Sequence, residues 1–243
     1  MKDTIFLVNI VFEAAQMITD DFFVASKDEK GDLVTSFDFE IEGFISDKIR
    51  QNYPTFDIIG EEFNPAQKQT PNCFVIDPVD GTINFAHGLP LWGIQVAMIK
   101  RGRTVCSVIY LPKLHELYFA DSRGAFVMDG LDWDNAKQIH VSDRKSNKAL
   151  YLVEGGNKFP ALEKMESYSR NWRFFSCSAV NYAWTACGRL GGTILRKDYL
   201  WDYLPGQYLV KQAGGFIHNK KGAHVAANSK ELAHLLLTDG SLA

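Results

Sequence analysis

Apolar residues recur at helical spacing through Ile5, Val8, Phe12, Ala15 and Phe22, so residues 3 to about 24 read as one amphipathic helix. Lys27 to Gly31 is a polar connector. Thr35 and Ser36 are helix-start residues, and Ile41, Phe44, Ile45 and Ile49 give the following helix its apolar face until Pro54 stops it. Phe56 to Ile59 reads as a short strand ending in Gly60-Glu61-Glu62, and Asn64 to Asn72 as a loop. Phe74-Val-Ile is a buried strand that runs into Asp77-Pro78-Val79-Asp80-Gly81-Thr82, where proline and glycine predict a rigid acidic turn.

Beyond that turn the pattern changes to a meander. Leu91 to Ile99, Thr104 to Leu111, Leu117 to Ala120 and Gly124 to Met128 are rich in β-formers. Turn signals at Arg101-Gly102, Pro112-Lys113 and Ser122-Arg123-Gly124 separate them. The second half alternates. Strands are expected at Leu150–Glu154, Trp172–Ser176, Thr193–Leu195 and Phe216–His218. Helices are expected at Pro160–Ser169, Ser178–Cys187, from Trp201-Asp202 to Ala213-Gly214-Gly215, and at Ser229–Leu237. Two helices, a largely antiparallel sheet and then an α/β half make this an α+β / α/β chain. An N-terminal half of about 1–140 meets a C-terminal half of about 141–243, without a repeat or a linker between them.

Composition narrows the classes. The chain has 243 residues, 46% hydrophobic and 23% charged, as in ordinary globular proteins. Net charge −3 and a pI of about 6.1 supply no basic field to recruit nucleic acid. No apolar run is long enough to span a bilayer, and the N-terminus lacks the apolar core of a signal peptide. Cys73, Cys106, Cys177 and Cys187 show no Cys-x-x-Cys pairing and read as reduced thiols of a cytoplasmic protein. The six histidines are scattered, so none receives a role.

The chemistry concentrates in acids. Asp77 and Asp80 flank Pro78-Val79, so one turn can aim two carboxylates at a single point. An oxygen-only set of that kind suits Mg²⁺. Gly81 and Thr82 can offer N–H groups to an anion held there. Alone, an Asp-Pro-x-Asp string is better read as an acidic surface turn after a core strand. Glu61, at the end of its own strand, is either a further ligand or solvated. Glu62 is a neighbour of the site or solvated. Asp38 falls in a helix's first turn, where an acid favours the dipole. Trp201 reads as core and Asp202 as a helix cap whose free oxygen can also bind metal.

The longer string Asp77-Pro-Val-Asp80-Gly-Thr82, with Asn84-Phe85, resembles the signature of the inositol monophosphatase family. Asp32-Leu-Val-Thr35…Asp38, Gly60-Glu61-Glu62, Ser178-Ala179, and Trp201-Asp202 followed by Ala213-Gly214-Gly215 follow the family's order of motifs. The resemblance implies a layered αβαβα sandwich and a Mg²⁺-dependent phosphomonoesterase with two to three ions. Glu61, Asp77 and the Val79 carbonyl would hold one ion, and Asp77, Asp80 and Asp202 a second. A third would lean on Glu61 through water. Asp38 would take a proton from the attacking water through the Thr82 hydroxyl. Gly81, Thr82 and Ala179 would contact phosphate or substrate, and Lys27 matches a lysine near the metals. A homodimer and lithium sensitivity are also implied.

The chain departs from the family where inositol-specific members carry a carboxylate. Leu195 stands there, seven positions before Asp202, and Arg196-Lys197-Asp198 follows. Arg196 is a candidate contact for a more anionic substrate; alternatively these residues form a solvated turn, or Asp198 replaces the missing acid. Tyr203-Leu-Pro-Gly206 also replaces the family's usual small residues. The substrates in view are inositol monophosphate, fructose 1,6-bisphosphate, 3′-phosphoadenosine 5′-phosphate, NADP and histidinol phosphate. The competing classes are an interaction protein of the transcription machinery and a simple Mg²⁺- or Ca²⁺-binding module.

Overall fold

The computed structural model describes residues 1–27, 33–144, 151–154, 172–196, 198–220 and 222–238. Helix α1 (Lys2–Ala15) opens the chain. It ends well short of residue 24. Thr19, Asp20 and Asp21 follow, residue types whose side chains compete for backbone groups. Phe22 instead leaves the helical path and packs, with tilted rings, on Phe37 and Phe85, at ring-centroid distances of 6.0 and 4.9 Å. The inward face of α1 is Leu7, Val8, Ile10, Val11, Ala14 and Ala15, while Ile5 is exposed.

A small antiparallel pair, β1 (Val24–Ser26) and β2 (Leu33–Thr35), precedes α2 (Ser36–Asn52). The strand signal is absent from the sequence because these three-residue strands bring little apolar surface. Next come β3 (Asp57–Gly60), β4 (Cys73–Asp80) and the short α3 (Thr82–Ala86). The meander is β5 (Gly93–Lys100), β6 (Arg103–Leu111), β7 (Glu116–Asp121), β8 (Gly124–Asp129) and β9 (Lys137–Ile139). These strands form one sheet in the order β3-β4-β5-β6-β7-β8-β9, antiparallel except for the parallel pair β3–β4.

The second sheet holds β10 (Tyr151–Glu154), β11 (Trp172–Arg173), β12 (Gly192–Leu195), β13 (Phe216–Lys220) and β14 (Ala223–Ala227), in the order β11-β10-β12-β14-β13. Its helices are α4 (Ser178–Ala186), α5 (Leu200–Gln212) and α6 (Lys230–Thr238). The helix expected at Pro160–Ser169 lies outside the described residues. Strand β14 was not foreseen. Ala223-His-Val-Ala-Ala has weak strand propensity, and full burial between two antiparallel neighbours overrides it.

Side-chain parity sorts the strands into layers. On β6 and β7, Val108, Tyr110, Leu117 and Phe119 pack with α1 and α2. Their alternates Ile109, Leu111, Tyr118 and Ala120 pack with α4 and α5, whose other side meets Leu195 and Ala226 of the second sheet. The opposite parity, Ile194, Val225 and Ala227, packs against Leu232, Ala233 and Leu236 of α6. The result is helix, sheet, helix, sheet, helix, the expected αβαβα order. Strands buried on both faces read as continuous apolar runs because each parity has a helix layer to cover. Each buried Ile, Leu or Val contributes about 1.5–3 kcal/mol. Thr4 pins α1 to this sheet through Asp121 at 2.8 Å.

Candidate metal centre and active site

The site forms where β3 and β4 end against α2, α4 and α5. Strand β4 does not stop at Asp77, as the sequence led us to expect, but continues to Asp80 through a bulge. Asp77 pairs with Gln95 and Asp80 with Gly93, so three steps on β4 oppose two on β5. In a regular strand, residues three apart face opposite sides. The bulge turns Asp77 and Asp80 the same way and absorbs Pro78, which cannot donate to a ladder. The turn comes at Gly81, whose φ is +86°. A side chain there would also stand 3.1 Å from both Cys177 Cβ and the Leu91 carbonyl.

Asp202, in the first turn of α5, completes a cluster. Asp77, Asp80 and Asp202 are all buried, and each offers an oxygen within 4.8 Å of the others. Burial raises the pKa of Asp77 well above the usual carboxylate value. Glu61, Asp80 and Asp202 push it further up. Asp77 Oδ1 is buried with no hydrogen-bond donor among the described residues. An uncompensated concentration of acid and an orphaned oxygen both fit a hard cation, which would neutralise the one and ligate the other.

A polar network braces the cluster. Asp80 Oδ2 accepts from the Ala179 N–H, from Ser178 Oγ at 3.0 Å and from Cys177 Sγ at 3.4 Å. Ser178 Oγ accepts from Gln95 Nε2 at 2.9 Å, and the same amide donates to Asp77 Oδ2 at 3.3 Å. Gln95 is therefore the bridge between the two aspartates, and sequence reasoning missed it. Its signal was a lone buried amide within the apolar strand Gly93-Ile-Gln-Val-Ala-Met-Ile.

The parallel register Gly60↔Ile76 sets Glu61 beside Asp77. Its carboxylate stands outside the three-aspartate cluster and pairs with Lys27 Nζ at 2.8 Å; Glu62 takes the same ammonium at 2.5 Å. Burial disfavours the charged lysine, but the two carboxylates outweigh that and raise its pKa. Burial raises the pKa of Glu62, against its bond to Lys27.

Asp38 is fully buried at the start of α2. Its Oδ2 accepts from the Thr35 N–H at 2.7 Å and the Thr35 hydroxyl at 2.6 Å. Burial lifts its pKa to about 6; the Thr35 bonds pull it down, Glu61 pushes it up and Lys27 pulls it down. The Thr82 hydroxyl lies 2.8 Å from the Val79 carbonyl and 3.3 Å from Asp38 Oδ1. Its single hydrogen serves one acceptor at a time. Asn84 ties the segment down by donating to the Leu91 and Phe175 carbonyls at 2.7 and 2.6 Å.

The residues around Leu195 and Tyr203 make contacts of their own. Leu195 is 1% exposed within the apolar layer between the sheets. Arg196 is half-buried, and burial lowers its pKa. Lys197 lies outside the described residues. Asp198 Oδ1 accepts from the Gly222 N–H at 3.1 Å and pairs with His224 Nε2 at 3.0 Å. Tyr203 stacks on His224 at 3.7 Å. All four cysteines are free thiols.

Five layers thus set an acid cluster that could hold a metal ion at the strand ends, beside a carboxylate–hydroxyl pair. The chain belongs to the inositol monophosphatase family, whose model it matches over residues 2–239. It is a phosphoric monoester hydrolase. It is 33% identical over 205 residues to a fructose-1,6-bisphosphatase/inositol-1-monophosphatase of Thermotoga maritima, covering 82% of this chain and 76% of that one. It is 30% identical over 220 residues to Nus factor SuhB of Escherichia coli, covering 85% and 79%. The solved Thermotoga maritima IMPase superposes with a TM-score of 0.83 at 26% identity, covering 99% of this chain and 100% of that one.

Proposed function

We propose that this chain hydrolyses a small phosphorylated metabolite with Mg²⁺. The observation that carries the reading is the buried Asp77–Asp80–Asp202 cluster with its unpartnered Asp77 oxygen. These three, with Glu61 and the Val79 carbonyl, would hold two to three ions. Bound there, Mg²⁺ supplies positive charge to the phosphoryl oxygens, the attacking water and the leaving oxygen.

The remaining chemistry belongs to the chain. Asp38, with a pKa near 6, is ionised at neutral pH yet basic enough to accept a proton, and the Thr82 hydroxyl is the group that passes it. Lys27 holds Glu61 and Glu62 apart from one another's charge. The Gly81 and Thr82 N–H groups would take phosphate oxygens. Ala179 spends its N–H on Asp80, so its part in substrate binding would be steric. Ser178 and Gln95 orient the aspartates.

A second reading of the substrate has its own support. Leu195 offers no acceptor for an inositol hydroxyl, Asp198 turns one oxygen to His224 and Gly222, and Arg196 adds a cation nearby in sequence. A more anionic ester, such as fructose 1,6-bisphosphate, 3′-phosphoadenosine 5′-phosphate or NADP, fits these features. The family resemblance further supports a cytoplasmic, lithium-sensitive homodimer. The SuhB relative leaves a transcription role as an addition to catalysis. No described helix is long and apolar enough to cross a membrane.

The test is phosphate release with and without Mg²⁺ from inositol 1-phosphate, the three anionic esters above and histidinol phosphate. We expect Mg²⁺-dependent release from at least one. Silence across the panel would overturn the reading.

A further inference from the structure

Helix α2 presents a second buried acid one turn after Asp38. Glu42 is 0% exposed and takes no part in the chemistry above. Its two oxygens are spent on one turn: Oε2 accepts from the Glu62 N–H at 2.7 Å and Oε1 from the Phe63 N–H at 3.0 Å. A side chain on Gly60 could not coexist with this contact, because its Cβ would stand 2.0 Å from Glu42 Oε1. Phe63 rests on the same helix, 6.1 Å from the Phe39 ring and with its edge 3.8 Å from where a Gly43 Cβ would be. Residues 39, 42 and 43 of α2 thus form a seat for the whole Gly60–Phe63 turn.

Burying a carboxylate is costly unless strong donors meet it. A neutral apolar seat would stabilise the turn at lower cost. What the carboxylate adds is directionality: two charge-assisted bonds to consecutive N–H groups fix the Glu61–Glu62 and Glu62–Phe63 peptides. Glu61 hangs from that backbone. The same helix carries Asp38, so α2 sets the spacing between the two acids.

We propose that Glu42 is a positioning residue whose carboxylate clamps the Glu62 and Phe63 N–H groups and so aims Glu61 at the metal cluster. This rests on the metal reading of the site. Glutamine at this position keeps one acceptor but sets an NH₂ against an N–H.

The test is calorimetric titration of the metal-free protein with Mn²⁺ as the probe, alongside amide hydrogen exchange and circular dichroism. For Glu42→Gln we expect affinity to fall about tenfold, the loss typical when the partner that orients a metal ligand is removed. Exchange at Glu62 and Phe63 should quicken while the spectrum is kept. Glu42→Asp retains both oxygens and should recover part of the loss. If Glu42→Gln does not fold, Gly60→Ala displaces the carboxylate from the other side and should give the same tenfold loss. Wild-type protein that binds no Mn²⁺ overturns the metal reading and the clamp with it. Wild-type affinity in Glu42→Gln and Gly60→Ala overturns the clamp alone.

Discussion

Replacing Asp80 with asparagine should do two opposite things. In metal-free protein, burial and its acidic neighbours hold Asp77 toward its neutral form, so the repulsion to count is between Asp80 and Asp202. Their facing oxygens lie within 4.8 Å, so for unit charges at an effective dielectric of about 20 this is at least about 3.5 kcal/mol. Asparagine removes it. The charge-assisted bonds from Ser178 and Ala179 become ordinary ones, a loss of about 1 kcal/mol each. The balance is at least about 1.5 kcal/mol in favour of the variant, or a rise in Tm of at least about 3 °C for a chain of this size. With Mg²⁺ the order reverses. Wild-type protein at a hundredfold excess over its Kd gains about 2.7 kcal/mol, and the variant gains less. Turnover should fall by roughly 10²- to 10³-fold, because the charge an ion lends the transition state is worth several kcal/mol. The assay is thermal unfolding in chelator and in saturating Mg²⁺, with phosphate release measured in parallel. A variant less stable than wild type in chelator, with an undiminished Mg²⁺ response and intact turnover, would refute the electrostatic account of this cluster.

Three further perturbations follow from neighbouring contacts. Gln95→Leu removes the donor shared by Asp77 and Ser178; we expect roughly a tenfold loss in turnover with secondary structure unchanged, and equal turnover would remove Gln95 from the site. Thr82→Ala should abolish most activity and Thr82→Ser should keep it, as read by initial rates; equal rates in both would exclude the hydroxyl as proton carrier. Far from the site, burial raises the Asp121 carboxyl, but bonds from Arg123 and Thr4 outweigh it and bring the pKa down to about 2. A folded pKa below the unfolded 3.8 means its stabilisation is complete above about pH 4 and is lost as pH falls towards 2. The contribution is about 2 kcal/mol. Asp121→Asn should therefore flatten the difference between denaturation midpoints at pH 5 and pH 2; an unchanged acid limb would count against the pair.

Much of this molecule was written in local sequence. The runs of β-formers at Thr104–Leu111 and Leu117–Ala120, set off by turn signals, located β6 and β7 to within one residue at each end, and Thr35-Ser36 marked the start of α2 within one residue. The acids of the site were legible through the order of the family's motifs, because each carboxylate taken alone had an equally local use as a surface turn, a solvated pair or a helix cap. What sequence spacing could not determine is how those acids meet. Asp77 and Asp80 face one point only because β5 offers two steps against three on β4, a bulge that exists in the pairing and not in either strand alone. Asp202 arrives from more than a hundred residues away, and Gln95 joins Asp77 to Ser178 across two layers. Phe22 left its helix for an aromatic cluster, and Ala223–Ala227 became a strand between two neighbours. In each case a long-range contact outweighed a local preference worth less than about 1 kcal/mol per residue. Chemistry by residue type was local; geometry was tertiary, because convergence depends on the register and packing of segments distant in the chain.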